Sequence, residues 1–223
     1  MLNGAGLREA VATACATLAG SGVMSPSGHG NVSGRVDSER MLLTGAGMSV
    51  PPGPDDLALV GFDGTVEEGR VTAAVSEIVG MHVAVYRARP DIGAVVHTHS
   101  PAVTAFALAH APLPCRYEAL LRHGQAEPVP VVAWAPRGSP ALAAGVTETL
   151  ATSPATSAVL LANHGLLAFA ANPARAAAMV ITLEEAARAE LAAMPLGGAR
   201  DFPPGALDDV QATMALARQR SQG

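Results

Sequence analysis

A chain of 223 residues that is 49% hydrophobic and 15% charged has material for a sizeable core and falls outside the disordered class. Its net charge of −5, with no basic stripe, excludes a nucleic-acid backbone as partner. All 14 basic residues are arginine, so no protein lysine is present to form a Schiff base with a carbonyl substrate.

No apolar run is long enough to span a bilayer, and the amino-terminal stretch lacks the basic region and apolar core of a secretory signal. Cys15 and Cys115 alone do not make a disulfide framework. A cytoplasmic protein is therefore expected. Nothing in the composition separates two halves, and residues 1–223 are read as a single domain.

From Leu7 to Leu18, apolar and small residues recur at three and four, the spacing of a helical face with Cys15 in its core. Ser25 to Arg35 and Met41 to Gly47 each set a strand-like piece beside a glycine-rich turn. No long helix follows either turn, which excludes a dinucleotide fingerprint. Asn31, Ser33, Thr44 and nearby amides could donate to an anion, or the segment could be two tight turns. Leu57 to Glu68 reads as a hairpin, and Val75 to Arg87 as one helix with Ser76 and Glu77 in its first turn. Glu77 there is a candidate carboxylate or an ordinary capping residue. His82 lies about 140° around the helix from it and reads as structural.

Ala94, Val95 and Val96 form a short buried strand that runs into His97, Thr98 and His99. Alternation along a strand puts both imidazoles on one face, as a metal pair or as two solvated loop histidines. A helix is expected from Pro101 to about Ala109, a polar turn around Arg122 and His123, and a strand from Val129 to Trp134. Helices at 139–150, 173–194 and 207–218 follow, the first capped by Ser139 with Pro140 behind it. Between Ser157 and Ala170 two apolar runs are broken by Asn163, His164 and Gly165.

His97, His99 and His164 fit a three-histidine site that leaves the metal open to substrate. Such a metal could polarise a hydroxyketone and stabilise the enediolate formed when a carbon–carbon bond breaks, in place of the missing iminium. Glu77 is the nearest candidate to move the proton.

With Gly30-Asn31-Val32-Ser33, Thr44-Gly45, Ser76-Glu77, Val96-His97-Thr98-His99-Ser100 and Asn163-His164-Gly165 in this order, the chain from about Leu7 to Glu190 resembles the class II aldolase/adducin family. That family includes L-fuculose-phosphate aldolase and L-ribulose-5-phosphate 4-epimerase. The resemblance implies a three-layer α/β/α sandwich around a mainly antiparallel sheet, in a homotetramer with sites between subunits. It implies one divalent metal per subunit on His97, His99 and His164, Zn2+ first, with Mn2+, Fe2+ or Co2+ also compatible with imidazoles. Glu77 takes the acid/base role, and Gly30, Asn31, Thr44, Gly45 and Ser76 fall on the substrate-phosphate site. Tyr117 looks like a catalytic tyrosine given by a neighbouring subunit.

His29 could contact substrate or only complete its turn. Val75 stands where sugar-phosphate aldolases commonly carry a second hydroxyl, and the terminal helices lack a tyrosine or histidine to place over the site. Arg35, Arg116 and Arg122 could pair with a carboxylate substrate, or be ordinary solvated or interface arginines. The leading expectation is an aldolase cleaving a small hydroxyketone phosphate. The alternatives are a decarboxylase of a keto or aromatic acid, then a dehydratase or epimerase, then a non-catalytic adducin-type module.

Overall fold

A computed structural model of the chain describes residues 4–220, so the first three residues of the amino-terminal stretch lie outside it. Eight strands form one sheet: β1 (Gly30–Arg35), β2 (Arg40–Thr44), β3 (Leu57–Gly61), β4 (Val66–Glu68), β5 (Ala94–Thr98), β6 (Val131–Val132), β7 (Ala158–Leu161) and β8 (Gly165–Ala170). Their order is β4-β3-β2-β1-β5-β8-β7-β6, and every neighbouring pair is antiparallel except β6 with β7. Among the described residues no helix is long and apolar enough to cross a membrane.

Helices cover both faces. The first face carries α1 (Gly4–Gly20), α4 (Pro101–Leu108) and α7 (Pro173–Ala193) over a core that includes Leu18, Val32, Val96, Leu166 and Leu183. On the second lie α2 (Ala73–Ser76), α3 (Val79–Ala88) and α6 (Pro140–Thr152), over Val60, Tyr86, Val95, Leu167 and Phe169. The alternation of Val95 and Val96 between these cores is the period-two pattern of a strand buried on both sides. His97 therefore belongs to the second face, toward α3. Cys15 is buried on α1, as its position in the apolar repeat implies. Outside the sheet, α5 (Glu118–Arg122) packs against α8 (Ala206–Arg220).

Three elements differ from the sequence-based reading. The helix expected from Val75 to Arg87 is two helices. Thr72 Oγ1 accepts from Val75 N and closes the single turn of α2, and α3 restarts behind Ile78. Both pieces bury apolar residues on the same side, so the periodicity runs through the break. Glu77 sits at that break and not inside a first turn. The strand from Val129 to Trp134 shrinks to β6 and a bridge between Leu113 and Val129, because Pro128 and Pro130 have no N–H to give a ladder. The polar turn near Arg122 contains the short helix α5.

Candidate active site

His97, His99 and His164 come together at the carboxyl end of β5. His97 is 2% exposed, and its Nδ1 donates to the carbonyl of Leu166 at 2.8 Å. That bond fixes the tautomer and leaves the Nε2 lone pair facing inward. His99, one residue past the strand, brings its Nε2 to 3.2 Å from His97 Nε2. His164 arrives from the turn between β7 and β8, where Asn163 takes a left-handed conformation (φ 55°). Ring centroids are 4.7 to 5.0 Å apart, and one nitrogen from each ring lies within 4.8 Å of the others.

Two nitrogens bound to one ion at about 2.1 Å in tetrahedral array stand about 3.4 Å apart. The spacing of His97 and His99 fits that requirement. The protonation states fit it too. Burial pushes the imidazole of His97 well below its ordinary range and that of His99 down to about 4, and it lowers that of His164; mutual repulsion and the charge of Arg137 act in the same direction. All three are neutral near pH 7, as a cation requires.

The backbone holds the cluster closely. A Cβ on Gly165 would stand 2.6 Å from the carbonyl oxygen of Thr98 and 2.9 Å from His99 Cδ2, so a glycine lets the His164 turn approach β5. Asn163 N donates to the carbonyl of Ala107, and the Asn163 Oδ1 lies 2.6 Å from His110 Nε2, tying the turn to the end of α4. At the other end of that helix, buried Glu184 accepts from the N–H groups of Ala102 and Val103 and from Arg188.

Of the other expected residues, His29, Gly30 and Asn31 lie against the cluster. The exposed ring of His29 lies 5.4 Å from that of His99. Gly30 packs against the carbonyl of His97, and Asn31 pairs with His97 across β1 and β5. Asn31 Oδ1 accepts from His82 Nε2 at 2.6 Å, and Ser33 Oγ joins His82 Nδ1 and Tyr86 Oη at 2.8 Å each. His82 is thus structural: burial drives its pKa down to about 3, and it leaves Asn31 Nδ2 as the free donor of that side chain. Thr44 is fully buried, with Oγ1 accepting from Val32 N at 3.3 Å, while Gly45 abuts the carbonyl of Arg70. Ser76 gives its hydroxyl to the carbonyl of Ala73 at 2.7 Å and lines a cavity against α3 and α6. Val75 is a core residue of the second face.

Glu77 is half-exposed, and its Oε2 accepts from Arg137 Nε at 2.6 Å. Gly138 (φ 80°) lies against it, with its Cβ position 3.2 Å from that of Glu77. Arg137 was not singled out in the sequence. Its only signal there is the stop of Pro136 and Gly138 around one cation just before a capped helix. Tyr117 is not brought to the histidines. It sits at the start of α5, in a cleft against Ala186, Glu190 and Ala193 of α7, and among the described residues no contact joins it to the cluster. Arg35 is spent on the carbonyls of Tyr86, Arg89 and Ile92, Arg116 on Glu190 and Asp201, and Arg122 on Glu118. A cavity of about 1080 Å³ opens at the opposite end of β5, beside Gly93, Leu7 and Asn172; it contains no imidazole, and its one cation is the engaged Arg35.

Residues 9–191 match the family described as Class II Aldolase and Adducin N-terminal domain. The chain belongs to the class II aldolase/adducin family. Over 163 residues it is 31% identical to a 5-methylthioribulose-1-phosphate/5-deoxyribulose-1-phosphate aldolase of Escherichia coli, covering 73% of this chain and 72% of the relative. Over 217 residues it is 32% identical to a 3,4-dihydroxyphthalate decarboxylase of Arthrobacter keyseri, covering 91% and 85%. In three dimensions it superimposes on an L-fuculose 1-phosphate aldolase with a TM-score of 0.79 at 25% identity, over 94% of this chain and 96% of that one. The expected class II aldolase fold is thereby shown, as an α/β structure with one mostly antiparallel sheet flanked by helices.

Proposed function

We propose that this chain is a metal-dependent carbon–carbon lyase that cleaves a small hydroxyketone phosphate. The observation that carries the reading is the convergence of three imidazoles on one point at the end of β5, in a chain without lysine. His97, His99 and His164 would hold the ion, with zinc the first candidate. When bound, the ion would supply Lewis acidity to the substrate carbonyl and offset the negative charge that develops as the bond breaks. His97 is oriented for this by its bond to Leu166, and Gly165 keeps His99 in reach.

Glu77 moves the proton. Its carboxylate is nearly half-exposed and is held at one oxygen by Arg137. Asn31 presents its amide N–H groups next to His97, and Gly30 lets the backbone pass close to the bound substrate. In this reading Thr44, Gly45 and Ser76 line the phosphate end. His29 stands at the substrate side of His99, and Tyr117 serves the site of a neighbouring subunit in a homotetramer.

A second reading, decarboxylation of a keto or aromatic acid, is favoured by two observations. Val75 replaces a phosphate donor with a buried apolar residue, and a relative 32% identical to this chain is a 3,4-dihydroxyphthalate decarboxylase.

The deciding experiment is metal analysis coupled to a screen of ketose phosphates and keto acids, with His97→Ala and Glu77→Gln as controls. His97→Ala is expected to lose metal and turnover together. Glu77→Gln is expected to keep its metal and lose about 10²- to 10⁴-fold in rate, the usual weight of a general acid–base. Carbon dioxide release without carbonyl fragments would select the second reading. Metal-loaded protein that does neither would refute both.

A further inference from the structure

We propose that Glu184 is a positioning residue for the metal site: from within α7 it pins the amino end of α4, and that helix supports two of the three ligands, His99 and His164. The inference rests on the metal-dependent lyase reading above and adds the group that sets the ligand geometry of that site.

The three imidazoles are not held alike. His97 is oriented through its own ring, whose Nδ1 donates to the carbonyl of Leu166. Among the described residues, the rings of His99 and His164 make no hydrogen bond outside the cluster, so their aim depends on the backbone that carries them. His99 is the single residue between Thr98, the last of β5, and Ser100, the cap position of α4. His164 sits in a turn tied to the far end of the same helix: Asn163 N donates to the carbonyl of Ala107 at 3.1 Å, and Asn163 Oδ1 lies 2.6 Å from His110 Nε2. One helix therefore supports both rings.

Glu184 fixes where that helix starts. The first N–H groups of a helix have no partner inside it, and a short polar side chain at the cap position usually accepts from them. Ser100 does not, because its hydroxyl is bound to Thr98 Oγ1 at 2.8 Å. The carboxylate of Glu184 is the acceptor instead. Its Oε2 receives the N–H groups of Ala102 and Val103 at 3.0 Å each, and its Oε1 receives that of Ala102 at 3.1 Å and Arg188 Nε at 2.9 Å. Glu184 is fully buried. Sliding of α4 along α7 would break these charge-assisted bonds where no water can replace them, which leaves the helix one seat. The β5 ladder on one side and this seat on the other define the position of His99, and the Asn163 bonds carry the same constraint to His164.

Affinity for Zn2+ and Co2+, measured by competition with a chromogenic chelator on full-length protein shown to be folded by circular dichroism, tests this. Glu184→Ala and Glu184→Asp are expected to bind either ion about 10- to 100-fold more weakly than the parent, the loss typical when the support of a ligand is removed. The visible bands of the Co2+ form, which report ligand geometry, should change with it. Glu184→Gln should recover most of the affinity, because its amide oxygen can still accept from Ala102 and Val103 while Arg188, exposed at the surface, turns away. Leu183→Ala, a cavity at the neighbouring buried position of α7, should lose stability with metal affinity and the Co2+ bands unchanged. Parental affinity in Glu184→Ala overturns the inference, and Glu184→Asp decides in the same way if the alanine variant does not fold. A loss in Glu184→Gln as large as in Glu184→Ala overturns it too, since charge and not placement would then hold the ion, and so does an equal loss in Leu183→Ala. Parent protein that binds neither ion, or binds as tightly after His97→Ala, refutes the metal site itself, and the inference with it.

Discussion

Replacing Gly165 by alanine tests whether the close approach of the His164 turn to β5 builds the metal site. The added methyl would lie 2.6 Å from the carbonyl oxygen of Thr98 and 2.9 Å from His99 Cδ2, where ordinary contact begins at 3.4 Å. The His99 ring must therefore retreat by about 0.5 Å, against the tolerance of about 0.2 Å that ligand distances allow. The Thr98 carbonyl belongs to β5 and has less freedom to give, so most of the relief falls on the ring and on the His164 turn. Displacing one ligand by this amount is expected to weaken metal affinity about 10- to 100-fold, the loss typical of disturbed ligand orientation. Overpacking should separately lower the stability of the metal-free protein by about 1–3 kcal/mol. Competition with a chromogenic chelator measures the first effect, and urea unfolding in excess chelator measures the second. A Gly165→Ala protein with parental metal affinity would refute the geometry argued here.

His82 is neutral when folded, with a pKa near 3 against 6.5 for the ordinary side chain, so its contribution to stability is present above pH 6.5 and is lost as pH falls toward 3. Within that window the loss is about 1.4 kcal/mol per pH unit; urea unfolding of the parent and His82→Gln proteins between pH 5 and 8 should converge toward low pH, and parallel curves would remove the assignment. Glu184→Ala leaves the N–H groups of Ala102 and Val103 without their acceptor inside the protein. Its unfolding free energy should fall by about 2–4 kcal/mol, read from the urea midpoint, and a change near zero would show that the carboxylate is dispensable. Burial raises the thiol of Cys15 to about 12 and that of Cys115 to about 11. Cys15 should not react with an aromatic disulfide at pH 8 until the chain unfolds, and rapid labelling of this thiol in native Cys115→Ser protein would contradict its burial.

The parts of the site that were legible in the sequence are those set by local alternation. His97 and His99 follow from a period of two on a buried strand, and the helix cap at Ser139 from a short polar side chain ahead of Pro140. The break at Glu77 was not legible, because the residues on either side of it bury the same face and a 3.6-residue pattern passes through unchanged. Nor was Arg137, since a lone cation between proline and glycine looks like any solvated loop residue until a carboxylate 60 positions away is placed against it.

Residue type and local spacing set the chemistry on offer: three imidazoles, a carboxylate earlier in the chain, no lysine, and strands apolar enough to be buried on both faces. Those properties are carried by residue type and by spacings of a few residues, which backbone geometry converts directly into a face or a cap. Which of these groups meet is set by long-range packing. The antiparallel pairing of β5 with β8 brings His164 to His97 and His99, backbone carbonyls of distant segments occupy Arg35, and the turn of Pro136 to Gly138 sets Arg137 on Glu77. Each of these contacts closes a loop of dozens of residues and is fixed by the packing of the whole sheet and its helices, a quantity that no local pattern contains.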